Sequence, residues 1–355
     1  MDKSINEKLV GWIAEKVKKE YPEDISAVVI YGSYVNGTAH AKSDVDCYFI
    51  PKTQRAYQFA NDFIICGIGY DIFPISWERA EAIADLKETL LPLIGDGKVI
   101  YCHSEEDKCK FLQLKSKLKS NLESEQISGA AALERVNQAC GVYESALNSE
   151  SMTEVRKKAG FIIMTLADAA ALYHHTYYHF GLKRQFTDLK KLPNIPRQIY
   201  DEYLNVIQAE SIESILQHCN QMIYAVCRHM NIPVPEKPRE QIKTEEVCSS
   251  QADYTALAAL YEEICSTFNK IYVCCENGDY VLAYLSAVCL QEELDYAHGQ
   301  LGAGQYDLLQ SFHYNDLERL ESNTKVIEND FVQFIVDGGG AIKKYDSFEE
   351  FEKMQ

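Results

Sequence analysis

The chain has 355 residues, 46% apolar and 25% charged, with a formal net charge of −18. That composition excludes a disordered chain, and with no run of about 18 apolar residues it predicts no transmembrane helix. The acidic balance argues against a nucleic-acid binder, which needs basic patches for phosphate backbones. The length predicts two or three domains. Met1-Asp2-Lys3-Ser4 leads directly into an amphipathic segment with no signal-peptide core, so the expectation is a cytoplasmic protein. Its twelve cysteines include no CxxC pair and are expected to be reduced and mostly buried.

Ile5, Leu9, Trp12, Ile13 and Val17 give residues 4–19 a helical period that Pro22 ends. Ala27-Val28-Val29-Ile30-Tyr31 reads as a buried strand broken by Gly32-Ser33. After the turn-rich stretch through Asn36-Gly37, residues 44–50 read as a second strand stopped by Pro51. A short helix is expected over 53–61, then a third strand from Phe63 to Ile75, kinked at Gly67 and Gly69. Ser76 would cap a helix over 77–85. Another short helix precedes Gly95, and Val99-Ile100-Tyr101 reads as a fourth strand. Beyond Glu105 the pattern turns helical, over 105–124, 128–148, 153–180, 197–208, 211–230, 254–271, 279–298 and 305–336, with a late turn at Gly338-Gly339-Gly340.

Charge and proline divide the chain. Residues 241–355 carry 21 acidic and 7 basic side chains. Pro233, Pro235 and Pro238 precede that segment, no proline follows, and a linker is expected there. The expected domains are therefore 1–103, 104–238 and 239–355.

One constellation carries chemistry. A strand delivers the chain to Gly32, where the missing side chain lets a ligand approach the backbone, and Ser33 adds a hydroxyl and nearby free amides suited to phosphate oxygens. Ten residues later, Asp44 and Asp46 stand two apart on the next strand and share a face. Paired carboxylates repel, and a hard divalent cation relieves the repulsion; Mg²⁺ takes few protein carboxylates plus substrate phosphates. Asp71, in the apolar run Gly69-Tyr70-Asp71-Ile72-Phe73, needs a partner. These residues point to metal-assisted phosphoryl or nucleotidyl transfer. Asp44 and Asp46 would hold Mg²⁺ against a nucleoside triphosphate, and Asp71 would either ligate a second ion or accept the proton of an attacking hydroxyl.

Gly32-Ser33 with Asp44, Asp46 and Asp71 resembles the signature of the nucleotidyltransferase superfamily, the fold of DNA polymerase β and of antibiotic nucleotidyltransferases. The resemblance covers about residues 26–75. It implies an α+β fold: a small mixed-sheet nucleotidyltransferase domain followed by all-helical bundle domains. It also implies two Mg²⁺ ions and an NTP, ATP first, as co-substrate. The helical second part resembles aminoglycoside and lincosamide nucleotidyltransferases, which implies a small hydroxyl-bearing acceptor and antibiotic resistance. Antitoxin-like members, which modify a protein or an RNA end, and silent nucleotide-binding modules are the alternatives. The arginine common after Gly-Ser in such families is absent; Tyr34-Val35-Asn36 stand before Gly37. Lys42, and Lys183 from the helical region, are the basic residues expected to meet the phosphates.

Weaker signals follow. His174, His175 and His179 fall within one expected helix, with His175 and His179 on one face; an aromatic packing face explains them better than a metal site. Asp168 is either a buried anchor or an exposed helix position. Cys47 and the pair Cys274-Cys275 read as packing residues.

Overall fold

A computed structural model describes residues 4–39, 42–235 and 252–355. Helix α1 (Ile5–Glu20) opens with a capping box in which Ser4 and Glu7 exchange side-chain and backbone hydrogen bonds, and it buries Leu9, Ile13 and Val17. Strand β1 (Ile25–Tyr31), the short helix α2 (Gly32–Asn36), β2 (Asp46–Pro51) and a 3₁₀ turn over Gln54–Phe59 come next. The expected single strand over 63–75 is instead a hairpin, β3 (Asn61–Ile65) and β4 (Ile68–Pro74). Cys66 and Gly67 at its tip have φ of 51° and 78°. Two successive positive φ values make a turn whose twist matches the strands, but Cys-Gly lacks the usual Asn-Gly signal. Helix α3 (Trp77–Ala84), capped by Ser76, α4 (Pro92–Gly95) and β5 (Lys98–Cys102) complete this part.

Six helices follow: α5 (Glu105–Glu123), α6 (Glu125–Leu147), α7 (Met152–Tyr173), α8 (Leu182–Leu189), α9 (Arg197–Gln208) and α10 (Ile212–His229). The helix expected over 153–180 stops at Tyr173, because His175 turns left-handed at φ 58°. The three histidines therefore share no helix, and each has its own partner: His174 meets His229 at 2.9 Å, His175 the Leu122 carbonyl at 2.7 Å, and His179 the Asp96 carboxylate at 2.9 Å. Pro238 and residues 239–243 of the expected linker lie outside the described residues.

The last segment holds α11 (Tyr254–Glu276), α12 (Tyr280–Leu301), α13 (Leu317–Asp337), β6 (Lys344–Tyr345) and α14 (Phe348–Met354). The helix expected over 305–336 begins only at Leu317, where Asp316 caps it; residues 302–316 are irregular apart from a 3₁₀ turn at Leu309–Ser311. Neither β6 nor α14 is among the expected elements; a two-residue strand has no periodicity to read, and the one signal for α14 is the capping pattern Ser347-x-x-Glu350 at its start.

The strands form one mixed sheet in the order β5-β1-β2-β4-β3-β6, with β2/β4 and β3/β6 parallel and the other pairs antiparallel. Its two faces bury different partners. Val28, Ile30, Val45, Cys47, Phe49, Tyr70 and Ile72 pack with α1 and α14. Ala27, Val29, Tyr48 and Ile50 join a core that runs on through the helices from α5 to α13. Helix α11 crosses the sheet at Gly69, where a Cβ would sit 2.6 Å from the Glu262 carbonyl, so only glycine allows that approach. Glu262, fully buried, accepts from the Lys343 backbone amide and holds the segment leading into β6 against the sheet. Among the described residues no helix is long and apolar enough to cross a membrane, and every described cysteine is free.

Candidate active site

The alternation of β2 decides where the acids stand. Val45, Cys47 and Phe49 fill the α1 side, so Asp46 projects with Tyr48 and Ile50 toward the helices. Tyr31, the last residue of β1, pairs with Asp46. On β4, Tyr70 and Ile72 are buried on the α1 side, which turns Asp71 to the same face as Asp46. Cys47 pairs with Ile72 in the parallel ladder, so Asp46 and Asp71 lie on adjacent strands one position back. Asp44 stands just before β2 and lines the same cavities as Asp46.

Gly32 is required at the corner on two counts. Its φ is +71°, and a Cβ there would overlap the Asp46 carboxylate. The Ser33 amide and the amide of Asp46 itself donate to that carboxylate. Even so, burial and the neighbouring Asp44 push Asp46 up to about 7, against the opposing pull of Lys270. Burial, a carboxyl–carboxyl hydrogen bond with Asp62 and the Asp62 charge push Asp71 up to about 9. Asp62 stands directly across the β3–β4 ladder from Asp71. These carboxylates are short of positive charge.

Two adjoining cavities open on this corner. The larger, about 660 Å³, is lined by Gly32, Ser33, Asp44 and Asp46 on the sheet side and by Lys42, Lys183, Arg184 and Lys270. The smaller, about 220 Å³, is lined by Asp44, Asp46, Asp71, Glu263 and Glu293, and among the described residues no basic residue lines it. Burial and the Asp62 and Glu293 charges push Glu263 up to about 7. Ser266, Thr267 and Cys289 are common to both.

The structure thus places Gly32, Ser33, Asp44, Asp46 and Lys183 around one cavity and Asp71 in its acidic neighbour. Lys183, at the start of α8, spans from the helices to the corner and donates to the Thr38 carbonyl at 2.9 Å. Its position is set by the α7–α8 connection, which His179 ties to Asp96 on the sheet side. Asp168 lines neither cavity; Gln185 Nε2 donates to it at 3.2 Å, and desolvation pushes it up to about 7. Burial pushes the Cys47 thiol up, and the Cys274 thiol up to about 12, which disfavours the thiolate in both.

Sequence reasoning passed over Asp62, Glu263, Lys270 and Glu293. The signal for three of them was faint but present: Glu263 and Lys270, seven residues apart, share one face of α11, as Cys289 and Glu293 share one face of α12.

The donor set fits Mg²⁺. Its oxygens are hard, and the raised Asp46 and Asp71 mark anionic forms that lack compensation. Among the described residues no three His, Cys, Asp or Glu side chains cage an ion by themselves. Mg²⁺ does not need such a cage, since it is held by one or two carboxylates together with substrate phosphates and water.

Residues 13–106 match the family model described as Polymerase beta, Nucleotidyltransferase. This part of the chain has the nucleotidyltransferase fold. The match includes Gly32, Ser33, Asp44, Asp46, Asp62 and Asp71 and leaves out the walls built by α8, α11 and α12. A solved structure, a nucleotidyltransferase-like protein from Exiguobacterium sibiricum, is 9% identical and aligns over 92% of both chains with a TM-score of 0.35, too loose an overlap to carry an argument. No curated protein matches the chain.

Proposed function

We propose that the protein is a Mg²⁺-dependent nucleotidyltransferase that moves a nucleoside monophosphate, AMP from ATP, to a hydroxyl of a small, positively charged acceptor. An aminoglycoside-like antibiotic has that chemistry. The observation that carries the reading is the pair of adjoining cavities of opposite character sharing Asp44 and Asp46. The triphosphate belongs in the larger one. There the Gly32-Ser33 corner offers close backbone approach, and Lys183, Lys270 and Lys42 supply the charge that the absent arginine would have given. The acceptor belongs in the smaller one, where Glu263 and Glu293 favour ammonium groups over phosphates.

Asp44 and Asp46 would hold Mg²⁺, with Asp71 available to a second ion; the metal would offset phosphate charge and stabilise the oxygens that exchange partners at the α-phosphorus. The acceptor hydroxyl oxygen bonds to that phosphorus, the bond to the bridging oxygen breaks, and pyrophosphate leaves. The hydroxyl proton passes to a carboxylate. Where Asp71 does not hold the second ion, it is the first choice. Glu263, near 7, is matched to proton transfer at neutral pH and is the second.

The test incubates the protein with α-labelled NTPs, Mg²⁺ and pooled acceptors, including aminoglycosides and lincosamides. Label on a cationic small molecule with pyrophosphate release supports the proposal. Label on RNA or on a protein instead moves the acceptor to the antitoxin-like alternative. No label on any acceptor, with NTP bound, favours a silent module.

A further inference from the structure

Three buried side-chain atoms lack a hydrogen-bond partner among the described residues: Arg135 Nε, Glu262 Oε2 and Ser286 Oγ. Two of these side chains are otherwise engaged. Arg135 donates through a second nitrogen to the Leu86 carbonyl at 3.2 Å, and Glu262 Oε2 lies 3.3 Å from Lys343 Nζ. Ser286 has one polar side-chain atom, it is unpartnered, and the residue is 3% exposed. Other buried hydroxyls satisfy themselves: Ser128 donates to the Leu172 carbonyl, Ser311 to Leu308 and Thr324 to Leu320. A helical serine has such a carbonyl within reach one turn back, so the idle hydroxyl of Ser286 calls for a ligand.

Of the three residues, only Ser286 lines the larger cavity. It stands on α12 between Leu282 and Cys289, and Val273 of α11 lines the same cavity. Glu293, in the acidic cavity, is seven residues further on, about 10 Å along the helix. Ser286 does not line that acidic cavity. It therefore lines the cavity that holds the lysines and not the acidic one.

We propose that Ser286 is a specificity-determining residue whose hydroxyl hydrogen-bonds the nucleoside half of the bound nucleoside triphosphate. This rests on the nucleotidyltransferase reading. The phosphates lie toward Gly32-Ser33 and the lysines, and the nucleoside packs against the Leu282–Val273 wall.

The experiment measures binding of ATP, GTP, CTP, UTP, the 2′-deoxy form of the preferred one, and inorganic tripolyphosphate. Each is titrated with Mg²⁺ into the full chain and into Ser286→Ala and Ser286→Cys. The expected result is about tenfold weaker binding of the preferred triphosphate in Ser286→Ala, a flattened preference among bases, and unchanged tripolyphosphate binding. The nucleotide-free melting temperature should be equal or higher, since an unsatisfied hydroxyl is gone. Equal losses for all bases that vanish with the deoxy form would place the contact on the ribose and still support the proposal. Wild-type-like affinity and preference in Ser286→Ala would overturn it, as would a matching loss for tripolyphosphate. Ser286→Cys keeps the volume without a strong hydrogen-bonding group; the same losses are expected of it, and it decides the question if the alanine variant does not fold. If the unaltered chain binds neither nucleotides nor tripolyphosphate, the nucleotidyltransferase reading fails first, and that result is distinct from failure at Ser286 alone.

Discussion

The two cavities that meet at Asp44 and Asp46 differ in charge and in origin. One gathers Lys42, Lys183, Arg184 and Lys270; the other gathers Asp71, Glu263 and Glu293. The sheet supplies the acids between them, while α8, α11 and α12 supply most of what differs. Charge is thus sorted mostly by the helical walls, with Asp71 of β4 and Lys42 of the loop before β2 adding to it from the sheet side. A domain that fixes the reacting centre can serve many acceptors if the walls around it change.

The strongest way to break the comparison is to remove what the cavities share. Asp46→Asn should lower nucleotidyl transfer by about 10³-fold or more, read as labelled product per enzyme, with far-UV circular dichroism unchanged. Full activity in that variant would remove Asp46 from the reaction. Altering one cavity alone should then separate the two substrates. Lys270→Met should raise KM for the NTP by about 10- to 100-fold with acceptor KM nearly unchanged. Glu293→Gln should do the reverse on a smaller scale, raising KM for a cationic acceptor by about 3- to 10-fold and sparing a neutral one. If both variants shift both constants equally, the assignment of the cavities to separate substrates is wrong.

Legibility in the sequence follows the same division. Asp46 and Asp71 come from neighbouring strands, Gly32 and Ser33 from the start of α2, and Asp44 from the loop just before β2 rather than from the strand expected to carry it; all lie within one short stretch, so alternation and turn chemistry bring them together without knowledge of the rest. Most strand and helix patterns of the first hundred residues survive in the structure; the Cys66-Gly67 turn splits one expected strand in two, a short helix stands at Gly32–Asn36 where turns are expected, the helix expected over 53–61 is a 3₁₀ turn at Gln54–Phe59, and the strand expected from 44 starts at Asp46. The walls depend on long-range packing. Glu263 and Lys270 reach the acids because α11 crosses β4 at Gly69, and nothing local to α11 encodes that crossing. The same holds for β6, whose pairing with β3 depends on a buried Glu262 more than eighty residues upstream. The helix expected through His179 fails for a local reason: His175 takes a left-handed conformation that a non-glycine residue adopts only where the surroundings hold it.

The smallest expected effect tests the electrostatics of the shared acids directly. Without metal, Asp46 is raised to about 7 and Asp71 to about 9, each from an ordinary value of 3.8. A carboxyl whose pKa is raised on folding holds its proton more tightly in the folded chain than in the unfolded one. Between these values the folded state binds the extra protons, so stability falls as pH rises. The contribution is complete below about pH 4 and is lost through pH 7 to 9. In chelator, the melting temperature should therefore drop by several degrees from pH 5 to pH 9. Asp46→Asn combined with Asp71→Asn should reduce that slope to the part left by Glu263 and Asp168, both also raised to about 7. Added Mg²⁺ should raise the melting temperature more at pH 8 than at pH 5, because the metal competes with those protons for the same oxygens. Calorimetry at matched ionic strength separates this from general screening, for which Na⁺ serves as the control. A metal-free melting temperature that is level across this range, with Mg²⁺ acting no differently from Na⁺, would mean that the carboxylates are not short of positive charge and that the case for a metal between them is lost.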